Sequence, residues 1–211
     1  MQFLIFSDLH QFDPLSLRVF KNSEIKDNTH AIIFLGDINS LALQYICNTF
    51  PDTPVYGILG NHDTKNLIDV TNSHLELFKS TLHEQLDFPI VNLNLNRIET
   101  DGISFCGFEG CVTYKEHSVG YTQEEALSLN IPKADILFSH ETGDASHCAK
   151  KDSIHTGYTA ISKYIKEKQP RYHIFGHHHQ NISFKIGKTK CFCVYGCSLF
   201  NFEAGIMQNI F

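Results

Sequence analysis

The sequence has 211 residues, a formal net charge of −6 with neutral histidines, and 42% hydrophobic residues. This length is enough for one domain with a sizeable core, and the acidic charge argues against a dedicated binder of long nucleic acids, whose surfaces are usually basic. The seven cysteines are odd in number and scattered, which favours a reduced protein over a disulfide scaffold.

The sequence pattern indicates neither a targeting signal nor a membrane-spanning segment. The first residues, MQFLIFSDLH, hold an apolar run that is too short for a signal peptide and has no basic start. No later apolar run approaches the length of a membrane span. We therefore expect a cytoplasmic protein that does not contact a membrane.

Short apolar runs alternate with helix-like segments along the chain. Runs typical of buried strands cover residues 2–6, 31–35, 55–59, 135–139 and 172–175. Other strand-like segments cover residues 91–96, 103–108, 182–186, 190–195 and 202–210, and Gly187-Lys188 predicts a hairpin turn. Residues 91–96 alternate strictly, which predicts one buried and one wet face.

Capping signals mark helices between these strands. Asp13-Pro14 predicts the cap and first turn of one helix, Ser40 is expected to cap a second, and Thr122 with Glu125 matches a capping box. Besides the helix after Thr122, the predicted helices cover residues 14–22, 41–49 and 157–168. Since βα units come first and hairpins later, we predict an α/β fold of two packed mixed sheets flanked by helices. It forms one domain over residues 1–211.

Polar side chains follow each of the five buried strands. In open α/β sheets the ligand site lies outside the carboxyl ends of the strands, so these side chains should meet at one edge. They are Asp8, His10, Asp37, Asn61, His62, Asp63, His140, Glu141, His177, His178 and His179. Mixed imidazole and carboxylate ligands suit manganese, iron or zinc. Two such ions about 3.5–4 Å apart can hold a bridging hydroxide and clamp a phosphoryl group.

The ordered motifs also carry a family resemblance. Asp8-x-His10, Gly36-Asp37, Gly60-Asn61-His62-Asp63, His140 and Gly176-His177-x-His179 together resemble the calcineurin-like metallophosphoesterases. The resemblance implies a four-layer αββα sandwich with a dinuclear centre. It places one metal on Asp8, His10, Asp37 and His179. It places the other on Asp37, Asn61, His140 and His177, so that Asp37 bridges the two ions.

The resemblance assigns catalytic roles to His62 and Asp63. His62 would stand beside the substrate, and Asp63 would orient its ring. His178 occupies a variable position and is not carried over as a ligand. The Asp-Arg-Gly that follows the bridging aspartate in protein Ser/Thr phosphatases is absent, since Ile38-Asn39-Ser40 follows Asp37. Residues 170–177 are similar to the metallophosphoesterase-domain (MPPED-type) proteins, which are linked to phosphodiester hydrolysis.

These observations predict a metal-dependent phosphoesterase. The favoured reaction is hydrolysis of small nucleotide-type phosphodiesters, with two divalent ions as cofactors. Manganese is the favoured ion, and iron, zinc, nickel and magnesium are the other candidates. A phosphomonoesterase is the main alternative, and a nuclease or a non-catalytic scaffold stay open. Between Asp37 and Asn61 there is room for one helix and one strand, so no cap domain is inserted there. The substrate-binding residues and the oligomeric state are not readable.

Two sets of residues keep open interpretations. His147 and His155 lie in a polar segment that either overhangs the metals or forms a solvated loop. The aromatic residues Phe108, Tyr114, Tyr121 and Tyr158 either stack on a substrate base or pack in the core or its rim.

Overall fold

The computed structural model describes residues 1–21, 24–63, 68–69, 76–77, 90–116, 118–149, 152 and 154–211. The α-helices are α1 (Glu24–Asn28), α2 (Ser40–Thr49), α3 (Gln123–Ser128) and α4 (Thr159–Lys168), and 3-10 helices cover Pro14–Phe20 and Ala145–His147. In this part of the chain, none of the helices has the length and apolar character needed to cross a membrane.

Sixteen strands are described. In chain order β1 to β16 are Gln2–Ser7, Ala31–Phe34, Val55–Gly57, Ile68–Asp69, Glu76–Leu77, Ile90–Asn92, Arg97–Thr100, Ile103–Phe108, Cys111–Val112, Gly120–Tyr121, Ile136–Ser139, Tyr172–Phe175, Ile182–Ile186, Thr189–Cys193, Gly196–Asn201 and Ile206–Asn209. They form two six-stranded sheets and two small two-stranded pairs, β4-β5 and β9-β10.

Both large sheets are mixed. The first has the order β16-β15-β1-β2-β3-β6, and the second has the order β13-β14-β12-β11-β8-β7. In the first sheet β1, β2, β3 and β6 are parallel, while β15 and β16 are antiparallel to their neighbours. In the second sheet β8, β11, β12 and β14 are parallel. Parallel strands bring their carboxyl ends to one edge, which is where the predicted site lies.

Three apolar layers explain the stacking order of sheets and helices. Phe3 and Ile33 of the first sheet pack against Phe105, Phe138 and Ile174 of the second. The other face of the first sheet is covered by α2 and the 3-10 helix Pro14–Phe20, and the other face of the second sheet is covered by α3 and α4. This arrangement confirms the predicted α/β sandwich of two mixed sheets flanked by helices.

The helix boundaries show which capping signals were interpreted correctly. The capping box of Thr122 and Glu125 is present, and Asp13 caps the segment that starts at Pro14, although that segment is a 3-10 helix. The predicted cap at Ser40 is wrong. The side chain of Asn39 accepts the hydrogen bond from the Ala42 amide, so Ser40 becomes the first helical residue.

The C-terminal strand prediction over residues 202–210 needs correction. The chain turns there, because the Asn201 side chain accepts a hydrogen bond from the Ala204 amide and the Gly205 amide bonds back to the Asn201 carbonyl. Strands β15 and β16 flank this turn, and β15 was missed by the sequence interpretation. The hairpin turn at Gly187-Lys188 is confirmed, since it joins β13 to β14.

The alternating segment 91–96 is only partly a strand. Strand β6 ends at Asn92, and three residues later Leu95 has a φ of 53°, a left-handed conformation that a β-strand cannot contain. Leu93 is nonetheless fully buried between the two sheets. The predicted burial of one face therefore holds at Leu93, while the predicted strand length is wrong.

His173 is a fully buried histidine in β12. Its Nε2 lies 2.7 Å from Ser139 Oγ, and this hydroxyl donates its own hydrogen to the Glu141 carbonyl. Ser139 Oγ must therefore accept from His173 Nε2, so His173 Nδ1 carries no hydrogen in the neutral ring. Burial lowers the pKa of His173 to about 3.

We expect His173 to make folding acid-sensitive. Because its folded pKa lies below the unfolded value, the unfolded chain binds the extra proton as the pH falls from about 6.5 towards 3, and stability is lost there with a slope approaching about 1.4 kcal/mol per pH unit. Urea unfolding in chelator at stepwise pH values measures this slope. At pH 7, His173→Gln should be less stable than the wild type. Its slope of stability against pH should be smaller by the equivalent of about one proton, whereas the exposed control His30→Gln should keep the wild-type slope. Equal slopes in all three proteins would contradict the assignment.

Candidate metal centre

The predicted ligands meet at the carboxyl ends of both sheets. Asp8 follows β1, Asp37 and Asn61 come after β2 and β3, and His140 and His177 come after β11 and β12. Because β1, β2 and β3 are adjacent in one sheet and β11 and β12 are adjacent in the other, the side chains converge where the edges of the sheets meet. The structure thus brings together residues that are up to 171 positions apart, with His179 Nε2 lying 3.4 Å from Asp8 Oδ1.

The backbone is strained at this convergence. In the described residues, seven non-glycine positions have a positive φ, and four of them are Asp8, Asp37, His177 and His179. Such conformations cost about 1–3 kcal/mol each and persist where the surroundings enforce them, often at functional sites. At these four positions the left-handed turn directs the side chain after the strand towards the shared edge.

Close backbone packing keeps the loops together. A Cβ atom on Gly176 would lie 1.9 Å from Ser7 Oγ and 2.7 Å from Asp8 Oδ2, and one on Gly60 would lie 2.1 Å from Asp37 Oδ1. These two glycines therefore permit the ligand loops to approach each other.

Asp8 joins the two sheets through hydrogen bonds. Its Oδ2 accepts from the amide of His177 at 2.9 Å and from Ser7 Oγ at 2.7 Å. Burial would raise the pKa of this carboxyl, but the neighbouring imidazole of His179 and the charge of His140 keep it below its ordinary value. Asp8 is therefore held as a carboxylate, with its second oxygen, Oδ1, facing His179.

Asp37 and Asp63 are two neighbouring carboxyl groups on the loops that follow β2 and β3. Asp37 Oδ1 accepts from the amide of His62 at 2.8 Å, and Asp63 Oδ2 accepts from the amides of Asp37 at 2.9 Å and Gly60 at 2.8 Å. Burial and the charge of Asp37 raise the pKa of Asp63 to about 7. Asp63 thus fixes two loops through their backbones. Among the contacts of the described residues, none joins Asp63 to the ring of His62, which the sequence interpretation had expected.

His140 lies fully buried at the centre of the site. Its Nδ1 lies 2.8 Å from the Leu35 carbonyl, so this nitrogen carries a hydrogen, while Nε2 lies 2.9 Å from Asn61 Oδ1 and 3.5 Å from Asp37 Oδ2. Burial alone would lower the pKa of His140, but Asp37 raises it to about 10. The pocket therefore stabilises a positive charge at Nε2, where a cation would take the place of the proton.

Two buried carboxylate oxygens test whether cations fit this pocket. Within the described part of the chain, Asp8 Oδ1 and Asp37 Oδ2 are buried and accept no hydrogen bond. An unpaired buried charge costs several kcal/mol, and a divalent cation would offset that cost. The surrounding donors are imidazole nitrogens and carboxylate or amide oxygens without thiolate, a set that suits manganese, iron, zinc or magnesium. The residues present therefore fit a metal centre.

Three overlapping groups of side chains are close enough to share an ion. Their ligand atoms lie within 4.8 Å of one another, and the groups are Asp8, His10 and His179; His10, Asp37 and His62; and Asp8, Asp37 and His140. The first contains three of the four residues assigned to one predicted ion. His177 belongs to none of the groups, and His62 belongs to one although it was not predicted as a ligand. The distribution of ligands between two ions stays a prediction.

The site has a buried floor and an exposed rim. Asp8, Asp37, Asn61, His140 and His177 are at most 4% exposed. The side chains of His10 and His179 are 37% and 33% exposed, and His62 is also exposed. The rings of His10 and His62 meet edge to face with centroids 5.1 Å apart. A ligand can therefore approach from the histidine rim, above carboxylates that water does not reach.

Three residues that border the site make contacts that the sequence interpretation did not predict. Glu141 is a fully buried acid whose Oε1 lies 2.7 Å from His178 Nε2. Tyr114 accepts a hydrogen bond from Asn61 Nδ2 at 3.3 Å, and Tyr195 stacks on His179 with centroids 4.9 Å apart. The charged residue next to His140 at a strand end was the available signal for Glu141. Tyr195 had none, and Tyr114 was considered only as a stacking residue.

The structure distinguishes between the interpretations that the sequence left open for two histidines and for the aromatic residues. Phe108 and Tyr158 are fully buried core residues, and the Tyr121 hydroxyl contacts Asn94 and Glu109. The ring of His155 lies over His177 with centroids 4.6 Å apart, so this part of the polar segment overhangs the site. The ring of His147 instead stacks on Phe184 at 4.3 Å, away from the predicted ligands.

The comparison with protein families gives one match over most of the chain. The model described as the calcineurin-like phosphoesterase superfamily domain matches residues 1–198. A search of curated protein sequences finds no match.

Several solved structures share the fold. An archaeal phosphodiesterase superposes with a TM-score of 0.57 at 14% identity, over 99% of this chain and 98% of that one. A phosphopantetheinyl hydrolase from Mycobacterium tuberculosis gives a TM-score of 0.51 at 12% identity, over 92% and 89% of the two chains. A putative 5′-nucleotidase from Staphylococcus aureus gives 0.50 at 15% identity, over 98% of this chain and 52% of that one. At these identities the likeness establishes the fold alone.

Proposed function

The chain belongs to the calcineurin-like phosphoesterase superfamily, and on that basis we propose that it is a phosphodiesterase that acts on small nucleotide-type substrates with two divalent ions. The observation that carries the proposal is the pair of buried, unpaired oxygens, Asp8 Oδ1 and Asp37 Oδ2, surrounded by imidazoles. When bound, two such ions lower the pKa of a water and stabilise the negative charge of the reacting phosphoryl group.

The protein residues have distinct proposed roles. Asp8, His10, Asp37 and His179 would hold one ion, and Asp37, Asn61, His140 and His177 would hold the other. Asp63 keeps the Asp37 loop in place through the amides of Asp37 and Gly60. Manganese is the proposed ion because the donors are nitrogen and oxygen without thiolate.

His62 is the proposed general acid. Its backbone amide is fixed to Asp37 Oδ1, and its exposed ring lies against His10 at the rim of the site. This position leaves the ring free to give a proton to a leaving oxygen of a bound substrate. Such help is typically worth about 10²–10⁴ in rate.

The preference for diesters rests on the chain segments around the site. Between Asp37 and Asn61 the structure has only α2 and β3, so no cap is inserted there, and residues 170–177 resemble the MPPED-type proteins. The phosphodiesterase activity named for one structural neighbour agrees with this substrate class. We also propose that residues 1–211 act as one domain and that the chain works in the cytoplasm, where its seven free, buried cysteines stay reduced.

We expect two metal ions per chain after loading with manganese, by elemental analysis of the desalted protein. Asp37→Ala should lose both ions. Asp37 is a proposed ligand of each ion, and its removal also takes away the negative charge that offsets the repulsion between the two cations. The exposed control Asp52→Ala should keep both. Less than one ion per chain in the wild-type protein would contradict the dinuclear assignment.

We expect faster turnover of diesters than of monoesters. A panel of cyclic nucleotides, linear dinucleotides and nucleoside monophosphates, assayed with manganese, measures kcat/KM for each class. Because no cap domain is inserted between Asp37 and Asn61, the site should accommodate a substrate with substituents on both sides of the phosphorus. Faster hydrolysis of the monophosphates than of every diester would show a phosphomonoesterase instead.

We expect His62→Ala to slow hydrolysis by an amount that depends on the leaving group. A nucleoside hydroxyl is a strong base when it leaves and needs a proton, so the loss should approach about 10²–10⁴. For bis-p-nitrophenyl phosphate the loss should be distinctly smaller, since nitrophenolate is a weak base. Metal content serves as the control. Equal losses on both substrates would exclude the acid role, and loss of an ion would make His62 a ligand.

A further inference from the structure

Glu141 is a buried acid that no predicted ligand set includes. It directly follows His140 and is fully buried. Its Oε1 lies 2.7 Å from His178 Nε2 and accepts from the Thr142 amide at 2.7 Å, and its Oε2 lies 3.5 Å from His177 Nε2. The acid therefore contacts the loop that carries two of the predicted ligands, His177 and His179.

The contact with His178 anchors this loop. Because a carboxylate only accepts hydrogen bonds, His178 must donate from Nε2. Its Nδ1 is buried and has no partner among the described residues, and the whole ring is buried. His178 thus acts as a fixed donor to Glu141 and points away from the exposed rim.

The surroundings of His177 define which of its nitrogens carries the hydrogen. Its Nε2 faces two acceptors, the Ile154 carbonyl at 3.4 Å and Glu141 Oε2 at 3.5 Å. Neither acceptor can donate, so the hydrogen belongs on Nε2, and Nδ1 keeps its free electron pair. The rings of His155 at 4.6 Å and His140 at 5.0 Å pack against the same imidazole, which restricts its rotation.

We propose that Glu141 is a positioning residue for the metal centre: its carboxylate, beside the Ile154 carbonyl that accepts the hydrogen, keeps that hydrogen on Nε2 of His177 and thereby leaves Nδ1 of His177 free to bind a cation. The inference rests on the proposed function, because it concerns one of the two proposed ions. A metal-ligating histidine commonly donates its other ring hydrogen to a carboxylate, and removal of such a partner typically costs about 10–100-fold in metal affinity.

The unpaired oxygen of Glu141 supports this role over a purely structural one. The anchoring of His178 and of the Thr142 amide uses Oε1 alone, whereas Oε2 is buried without a hydrogen-bond partner among the described residues. A structural acid would satisfy both oxygens with short hydrogen bonds. The ring nitrogen that faces Oε2 is Nε2 of His177, at 3.5 Å.

The first test measures the tautomer of His177 in the metal-free wild-type protein. Nitrogen NMR of the imidazole rings, with backbone assignment of His177, should show a hydrogen on Nε2 and none on Nδ1. This measurement needs neither a variant nor bound metal. A hydrogen on Nδ1 of His177 would overturn the proposal.

The second test measures metal binding to Glu141→Gln by competition with a chromophoric chelator, using manganese and cobalt. The variant should bind one ion about 10–100-fold more weakly, keep the other unchanged, and shift the absorption of bound cobalt. His177→Ala should weaken the same ion, and adding Glu141→Gln to it should change affinity less than about twofold if the two act together. His178→Gln, which can still donate to Glu141, is the matched control and should keep both ions.

The outcomes separate this inference from the proposed function. Two tight ions in the wild type with unchanged affinities in Glu141→Gln would overturn the role of Glu141 and leave the dinuclear centre intact. Equal weakening of both ions, or full additivity with His177→Ala, would show that Glu141 only maintains the fold. A wild-type protein that binds no ion would overturn both.

Discussion

Negative charge buried at the meeting edge of the two sheets is the constraint on which the site depends. Four carboxyl groups, those of Asp8, Asp37, Asp63 and Glu141, are at most 9% exposed. Removing a carboxylate from water costs several kcal/mol unless donors replace the lost hydration. The loops supply those donors mainly from backbone amides and imidazoles. The oxygens left without donors at Asp8 and Asp37 mark the places where the fold requires a further positive charge.

This arrangement links strain in the loops to the strength of the core. The left-handed backbone at Asp8, Asp37, His177 and His179 and the buried charges lower stability, and the apolar layers between and outside the sheets must offset that cost. Aromatic packing of Phe3 with Phe105 and Phe138 joins the two sheets. The packed layers therefore hold the ligand loops in place, which is the preorganisation that catalysis by charge stabilisation needs.

The sequence predicted those features that depend on local pattern. Buried runs followed by polar residues located the site, and the box of Thr122 and Glu125 located a helix start. Local pattern failed where two neighbours compete, as when Asn39 rather than Ser40 accepts the capping hydrogen bond. It also failed for the contact between Glu141 and His178, which are 37 residues apart. Such a contact depends on β11 and β12 lying side by side, and one sequence does not contain that information.

The three consecutive histidines show how the fold gives different roles to identical residues. The left-handed backbone at His177 and His179 alternates the directions of the side chains. His177 faces Glu141 and His140, His178 enters the core, and His179 stacks on Tyr195 at the rim beside Asp8. If all three were solvated, the loop could adopt many conformations. The buried hydrogen bond from His178 to Glu141 removes that freedom, so a residue that is not itself a predicted ligand restrains the two predicted ligands on either side of it.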